Sequence, residues 1–245
     1  MDNQSKILRF FASPSHACNY LKNREATSLF ADPFFPKNKM IYSKLVENGF
    51  RRSGEHLYQP YCEKCSECIP IRIPVNNFKP NRNQKRTFKR NQDLTVEISE
   101  ALFLEEHFQL YRNYLSIRHS GAGMDNPTEE DYQNFLWSSW SNTKLLEFGL
   151  DKKLIAVAVV DELQNAYSAV YTFFDPELKQ RSLGKYAILY LIDYSTKNKF
   201  PLLYLGYWIA ACNKMKYKID YQPAECFIDR QWKKFNTINF AVKEN

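Results

Sequence analysis

The stretch Ser182–Pro223, SLGKYAILYLIDYSTKNKFPLLYLGYWIAACNKMKYKIDYQP, decides the fold. Gly184 opens an apolar run, Leu183–Lys197, with helical periodicity, and Leu202–Leu205 follows it as a short strand. A tyrosine-rich loop dense in lysine comes next. Tyr204, Gly206, Tyr207, Trp208, Tyr217 and Lys218 lie close together in the chain, and that density points to a surface that handles a ligand.

Upstream, Lys144–Leu150, Leu154–Leu163 and Ala166–Phe174 are apolar runs separated by Asp151-Lys152-Lys153 and Gln164-Asn165, the pattern of an antiparallel meander. Strands that lead into a strand–helix–strand unit indicate an α/β or α+β chain, a mixed sheet with flanking helices. Ala101–His119 reads as a helix with Leu104, Phe108, Tyr111 and Leu115 on one face, and Thr128 reads as the cap of a helix reaching Ser138. Asn38–Asn48 is a third helix, stopped at Gly49. Ile69–Val75 alternates but carries two prolines, so an edge strand is expected there; Leu94–Ser99 is a further strand, and residues 1–20 read as irregular. A composition change near residue 100 divides an N-terminal module, 1–100, from a second unit, 101–245.

The 245 residues are 44% hydrophobic and 25% charged, a globular balance, and the formal charge of +7 favours a polyanionic partner. No stretch approaches the ~20 apolar residues of a membrane span, and no charged segment followed by an apolar run opens the chain. A cytoplasmic protein with reduced cysteines and no membrane partner is expected.

Three constellations carry chemistry. Cys62, Cys65 and Cys68 are spaced for a tetrahedral metal, and Cys18 or His16 would supply a fourth ligand; a structural zinc or iron–sulfur cluster and a plain loop of free thiols both fit. Lys79–Arg90 holds six cations and no acid; as a helix it would align Arg82, Lys85, Arg86 and Lys89 on one face, a surface for the phosphates of structured RNA. Arg181-x-x-Gly184 precedes a helix start, where backbone N–H groups can hold an anion, and Asp175 closes the preceding strand as a carboxylate suited to general base work or simply to an Asp-Pro turn. There is no G-x-S-x-G, Walker loop or H-E-x-x-H, which disfavours serine hydrolysis, nucleotide hydrolysis and zinc proteolysis.

Several segments match a known family together. They are Arg24-Glu25-Ala26, Gly49–Gly54, Tyr58–Arg72 around the cysteines, Arg118-His119, Leu146–Phe148, Ser182–Gly184, Tyr204–Ile209 and Lys214–Lys218. On these the chain resembles the aminoacyl-tRNA–protein transferases of the arginyltransferase family, within it the bacterial aspartate/glutamate leucyltransferase branch, over nearly its whole length. Two positions depart from the family pattern: Lys22-Asn23 stands where Pro-Gly is usual, and Gly149 where arginine is usual. Eukaryotic members carry an N-terminal Cys-x-x-Cys, of which Cys18 remains here with Leu21 in the second place.

The resemblance implies a fold related to the N-acetyltransferases (GNAT-like) with a cysteine-bearing N-terminal module. It implies transfer of leucine, or in the alternative arginine, from aminoacyl-tRNA to the N-terminal amine of proteins beginning with Asp or Glu, marking them for the N-degron proteolysis machinery. The ester is already activated, so the chemistry requires no cofactor. For this reaction Asp175 is expected as base or amine holder, with Tyr207 and Tyr171 orienting the ester or steadying its oxyanion. Arg72 and Arg118 would grip the acidic acceptor side chain, since a guanidinium fork suits a carboxylate. Lys85, Arg86, Lys89, Arg90, Lys214, Lys216 and Lys218 would take tRNA phosphates. Two rivals remain: a CoA-dependent N-acetyltransferase and a non-catalytic RNA-binding protein.

Overall fold

The computed structural model describes residues 7–118 and 126–238. Six short strands come first: β1 (Phe10–Ala12), β2 (His16–Ala17), β3 (Glu25–Ala26), β4 (Ser28–Ala31), β5 (Arg51–Ser53) and β6 (His56–Pro60). They form a four-stranded sheet in the order β1-β4-β6-β5 and a separate β2-β3 pair. The remaining strands are β7 (Ile69–Pro74), β8 (Thr95–Glu100), β9 (Thr143–Leu150), β10 (Lys153–Glu162), β11 (Ala166–Phe174), β12 (Leu202–Trp208), β13 (Glu225–Ile228) and β14 (Gln231–Lys234). These make one eight-stranded mixed sheet, β14-β13-β7-β12-β11-β10-β9-β8.

Among the described residues five α-helices accompany the sheets: α1 (Lys39–Glu47), α2 (Arg82–Arg90), α3 (Glu105–Arg118), α4 (Glu129–Leu136) and α5 (Leu183–Lys197). Their starts follow from side-chain caps. Asn38 accepts from the Ile41 N–H, and Asn81/Gln84 and Thr128/Asp131 form reciprocal capping boxes. The meander turns at Asp151 and Lys152, both at positive φ, the backbone of a tight mirror-image hairpin turn.

Successive strand residues point to opposite faces, and the large sheet uses both. One face carries α5 and α2 over Ile71, Ile73, Phe148, Leu203 and Leu205. The other is shared: α3 and α4 press Phe108, Tyr111, Tyr132 and Leu136 onto Val157, Val159 and Phe173, while the N-terminal sheet and α1 set Tyr42, Val46 and Leu57 beside Tyr204. Among the described residues no helix is long and apolar enough to cross a membrane.

The mixed sheet with flanking helices is present as expected; three local expectations change. Within residues 7–20, read as irregular, β1 and β2 are paired strands, because β4 and β3 lie alongside them. β7 is interior, between β13 and β12. Its prolines are tolerated because β13 pairs only with Ile71 and Arg72, leaving the ladder open at Pro70 and Pro74 on that side. A division at residue 100 does not follow the sheets, since β7 and β8 are strands of the large one.

Candidate active site

Two adjacent arginines on β5 organise the site. Arg52 is fully buried. Its Nε and Nη2 meet the two Asp161 oxygens at 2.6 and 2.9 Å, and Nη2 also donates to the Leu136 carbonyl at 2.8 Å. Tyr42 and Thr143 each donate to Asp161 at 2.6 Å. Burial disfavours the charged guanidinium, and the Asp161 carboxylate outweighs it, holding Arg52 above its ordinary range. This satisfied pair fastens the N-terminal sheet to β10.

Arg51 therefore faces the other way. It enters the opening where β11 and β12 part: these strands pair in parallel only from Ala166–Ser168 against Leu202–Tyr204. A bulge at Val170 bends β11, and one at Leu205 bends β12. Arg51 Nη2 donates to the carbonyls of Ala169 at 2.8 Å and Val170 at 3.3 Å. The guanidinium lies against Gly206, whose φ is +81° and where a Cβ would fall 2.1 Å from Nη1. Position 206 thus needs glycine for its backbone and for the close approach alike. Arg51 Nη1 is buried with no hydrogen-bond partner.

The surroundings are neutral. Burial raises the phenols of Tyr58, Tyr207 and Tyr217, all within electrostatic reach of Arg51, so they serve as hydrogen-bonding groups and not as bases. Lys218 is buried, and its Nζ donates to the Tyr207 carbonyl at 2.9 Å. Desolvation, then the neighbouring Arg51 charge, pushes its ammonium down to about 7.

The expected residues distribute unevenly over this frame. Tyr207 belongs to it, but its hydroxyl is committed to the carbonyls of Gly49 at 2.9 Å and Tyr58 at 3.3 Å. Tyr171 follows the Val170 bulge and packs its ring against Tyr111, Tyr114 and Phe135. Asp175 lies five residues beyond Val170, about 16 Å by strand rise. Its carboxylate caps the Glu177 N–H at 3.0 Å and pairs with Lys153 at 3.3 Å, the partners of a structural turn. Arg72 is engaged too: it pairs with Glu225 at 2.7 Å, donates to the Tyr204 hydroxyl and stacks on Trp232. Arg118 is exposed at the end of α3 and hydrogen-bonded to the Tyr114 phenol; its neighbour His119 lies outside the described residues.

The basic segment is helical, and Arg82, Lys85, Arg86 and Lys89 line a shallow concavity along α2. None of the four is in an ion pair among the described residues. Arg90 bonds the Gln180 carbonyl. Lys214 and Lys216 are exposed, whereas Lys218 is not on the surface: its ammonium is turned inward, so it cannot meet a phosphate as it stands. The ligand surface expected at residues 204–218 is likewise largely interior, because Tyr204, Tyr207 and Trp208 fill the space between layers.

The four cysteines approach one another. Burial pushes Cys68 up to about 12, with Cys18, Cys65 and Cys62 adding to the effect. Yet among the described residues no group of three or more His, Cys, Asp or Glu is placed to hold a metal ion. The sulfurs instead meet backbone and side-chain groups: Cys18 accepts from the Leu21 N–H and Cys65 from Arg24. A metal does not fit the cysteines as arranged. The Arg181 loop also differs from an anion cradle. Arg181 forms a fork with Asp93 at 2.9 and 2.8 Å, and Gly184 packs on the Phe174 ring, which leaves CoA pyrophosphate no free guanidinium there.

Arg51 was not singled out from sequence, although it lies in the matched segment Gly49–Gly54. A signal existed: two consecutive arginines in a strand face opposite sides, so one buried acid can serve only one of them.

Comparison with known proteins gives one family. The model described as arginine-tRNA-protein transferase, N terminus, matches residues 16–86, and that described as arginine-tRNA-protein transferase, C terminus, matches residues 106–228. The chain is 47% identical to an aspartate/glutamate leucyltransferase of Saccharophagus degradans, covering 93% of this chain and 97% of that protein. It is 46% identical to the enzyme of that name from Pseudomonas syringae pv. tomato, over 92% of this chain and 96% of the other. Among solved structures, L-PGS from Bacillus licheniformis aligns with a TM-score of 0.46 at 10% identity, over 58% of this chain and 45% of that one.

Proposed function

We infer the reaction from a premise now in hand: this chain belongs to the arginine-tRNA-protein transferase family. It transfers leucine from Leu-tRNA to the N-terminal amine of proteins that begin with Asp or Glu. The observation that carries this reading is the near full-length identity of 46% and 47% to relatives named aspartate/glutamate leucyltransferase. Arginine is the alternative donor.

In this reaction the acceptor's α-amine attacks the ester carbonyl carbon of the aminoacyl group. A C–N bond forms, the C–O bond to the terminal ribose breaks, and the ribose hydroxyl leaves with a proton that the amine gives up. An α-amine has an ordinary pKa of about 7.7–8.0, so a useful fraction is neutral near physiological pH. Positioning can then supply most of the acceleration, about 7–11 kcal/mol where the geometry is right. The gap between β11 and β12, where their parallel pairing ends, suits that task. It is bordered by neutral phenols and by backbone groups that the parted strands leave unpaired with each other, and it lies between two packed layers. The ion-pair-free α2 stripe supports a role in gripping tRNA phosphates, with Lys214 and Lys216 as further cations. The products would feed N-degron proteolysis in the cytoplasm.

The deciding experiment offers charged Leu-tRNA and Arg-tRNA to the purified chain, with peptides beginning Asp, Glu, Lys or Ala. Leucine should appear only on the acidic pair. Arginine transfer, or none, refutes the reading.

A further inference from the structure

We propose that Arg51 receives the side-chain carboxylate of the acceptor's first residue, at the opening between β11 and β12. The assignment rests on the transfer reaction inferred above and names the residue that makes it selective for acidic starts.

The contrast with Arg52 is the first support. The two side chains leave the same strand on opposite faces. Arg52 is matched by a buried carboxylate with two further donors on it. Arg51, its neighbour, has two carbonyls for Nη2 and nothing for the buried Nη1. A charged donor out of water without a partner is costly, and such a group in a folded protein calls for an explanation. Among the described residues Arg51 has no salt-bridge partner. The titratable groups around it are neutral phenols, a buried thiol and another base. The cleft thus holds a fixed positive charge with no compensating acid.

The second support is that the fold goes to some length to put the guanidinium there. Both flanking strands bulge, β12 at the residue before Gly206, and Gly206 takes positive φ so that the fork can lie against its backbone. A role in tying β5 to β11 alone would be served by the Nη2 bonds. The remaining donor capacity fits a compact, planar, two-oxygen anion, because a guanidinium has five N–H groups in a fork matched to a carboxylate. A carboxylate would take Nη1 and Nη2 together, exchanging bonds to neutral carbonyls for charge-assisted ones. Backbone phosphates of a tRNA are better met by the exposed α2 stripe than by a half-buried arginine. Arg72, the other guanidinium near β12, is already spent on Glu225.

The test uses the full chain with saturating Leu-tRNA and peptides that differ only at the first residue: Asp, Asn, Glu or Gln. Wild type should prefer Asp over Asn and Glu over Gln by about a hundredfold or more, the scale of a charge-assisted pair against an unpaired one. Arg51→Gln should bring both ratios to within about threefold of unity while leaving the KM for Leu-tRNA unchanged; Arg51→Lys should keep a clear acidic preference. Binding of the same peptides to the tRNA-free protein gives a second reading that turnover cannot mask. A parallel loss for acidic and amide peptides, with the ratio intact, would mean that Arg51 serves the ester or the fold and would overturn the assignment. If wild type transfers to no peptide at all, the reaction has failed, and the binding ratio alone judges Arg51: equal binding of Asp and Asn peptides by wild type overturns it.

Discussion

Replacing Lys218 by Met should change how stability responds to pH. The ammonium is buried and has one hydrogen bond, to the Tyr207 carbonyl. Desolvation and the nearby Arg51 lower its pKa from 10.5 to about 7 in the folded chain. The unfolded chain keeps the ordinary value of about 10.4. Between those limits the unfolded state binds one more proton than the folded state, so the Lys218 contribution rises with pH across that window. Its slope is at most about 1.4 kcal/mol per pH unit, and integration from about pH 7.5 to about pH 9 gives about 2 kcal/mol. Two thiols work in the opposite direction. Burial raises Cys68 and Cys226 to about 12, so the unfolded chain loses these protons first and stability falls as pH climbs past about 8.5. The raw wild-type curve therefore mixes both effects, and only the difference between wild type and Lys218→Met isolates the lysine. The pH-independent cost of leaving the Tyr207 carbonyl unbonded cancels in that difference. Urea midpoints at the two pH values measure it: wild type should gain about 2 kcal/mol on the variant going from about pH 7.5 to about pH 9. A difference that does not move with pH would show that Lys218 stays charged in the fold, and the description of the cleft as holding one permanent cation would be wrong.

Asp161→Asn should cost about 3–5 kcal/mol in urea unfolding, because it leaves the Arg52 charge buried without its partner; a loss below about 1 kcal/mol would mean that water reaches the pair. Gly206→Ala should reduce transfer at least about tenfold, since the new Cβ occupies the place of the Arg51 fork and displacements near 1 Å can cost about a hundredfold; steady-state rates with Leu-tRNA check this. Lys85→Glu with Arg86→Glu should weaken tRNA binding and lower the steepness of its salt dependence by about one unit for each phosphate left unneutralised. Filter-binding titrations over a salt series read that change, and an unaltered slope removes α2 from the tRNA face.

Much of the frame was legible in the residues. α5 runs over Leu183–Lys197 as its periodicity predicts, and Thr128 caps α4 with the reciprocal Asp131 bond. The meander appears as β9, β10 and β11 because two polar turns punctuate long apolar runs. The early strands were not legible: β1 to β5 are two to four residues long, too short for alternation to show. β7 looked like an edge because proline is usually confined there, and only the short β13 alongside explains why it is not. The family pattern of Pro-Gly at positions 22–23 was also instructive: Asn23 takes φ +58°, which asparagine tolerates, so the left-handed turn survives without glycine.

The site was harder to read because charge in a sequence carries no depth. Lys214, Lys216 and Lys218 looked like one cationic loop, yet a short helical turn rolls the third into the interior, where its charge becomes conditional. Arg72 and Asp175 have the residue types the reaction wants, but Glu225, Tyr204, Lys153 and the Glu177 N–H already occupy them. The useful discriminator was partnership and not residue type. Within Arg51-Arg52 strand alternation forces a division of labour: the inward residue consumes the buried Asp161 and locks two sheets together, and that lock fixes the aim of its neighbour. A protein built this way couples selectivity to architecture. The pair Arg52–Asp161 touches no substrate, yet loosening it should shift Arg51 in the cleft, so the acidic preference should erode before the fold is lost.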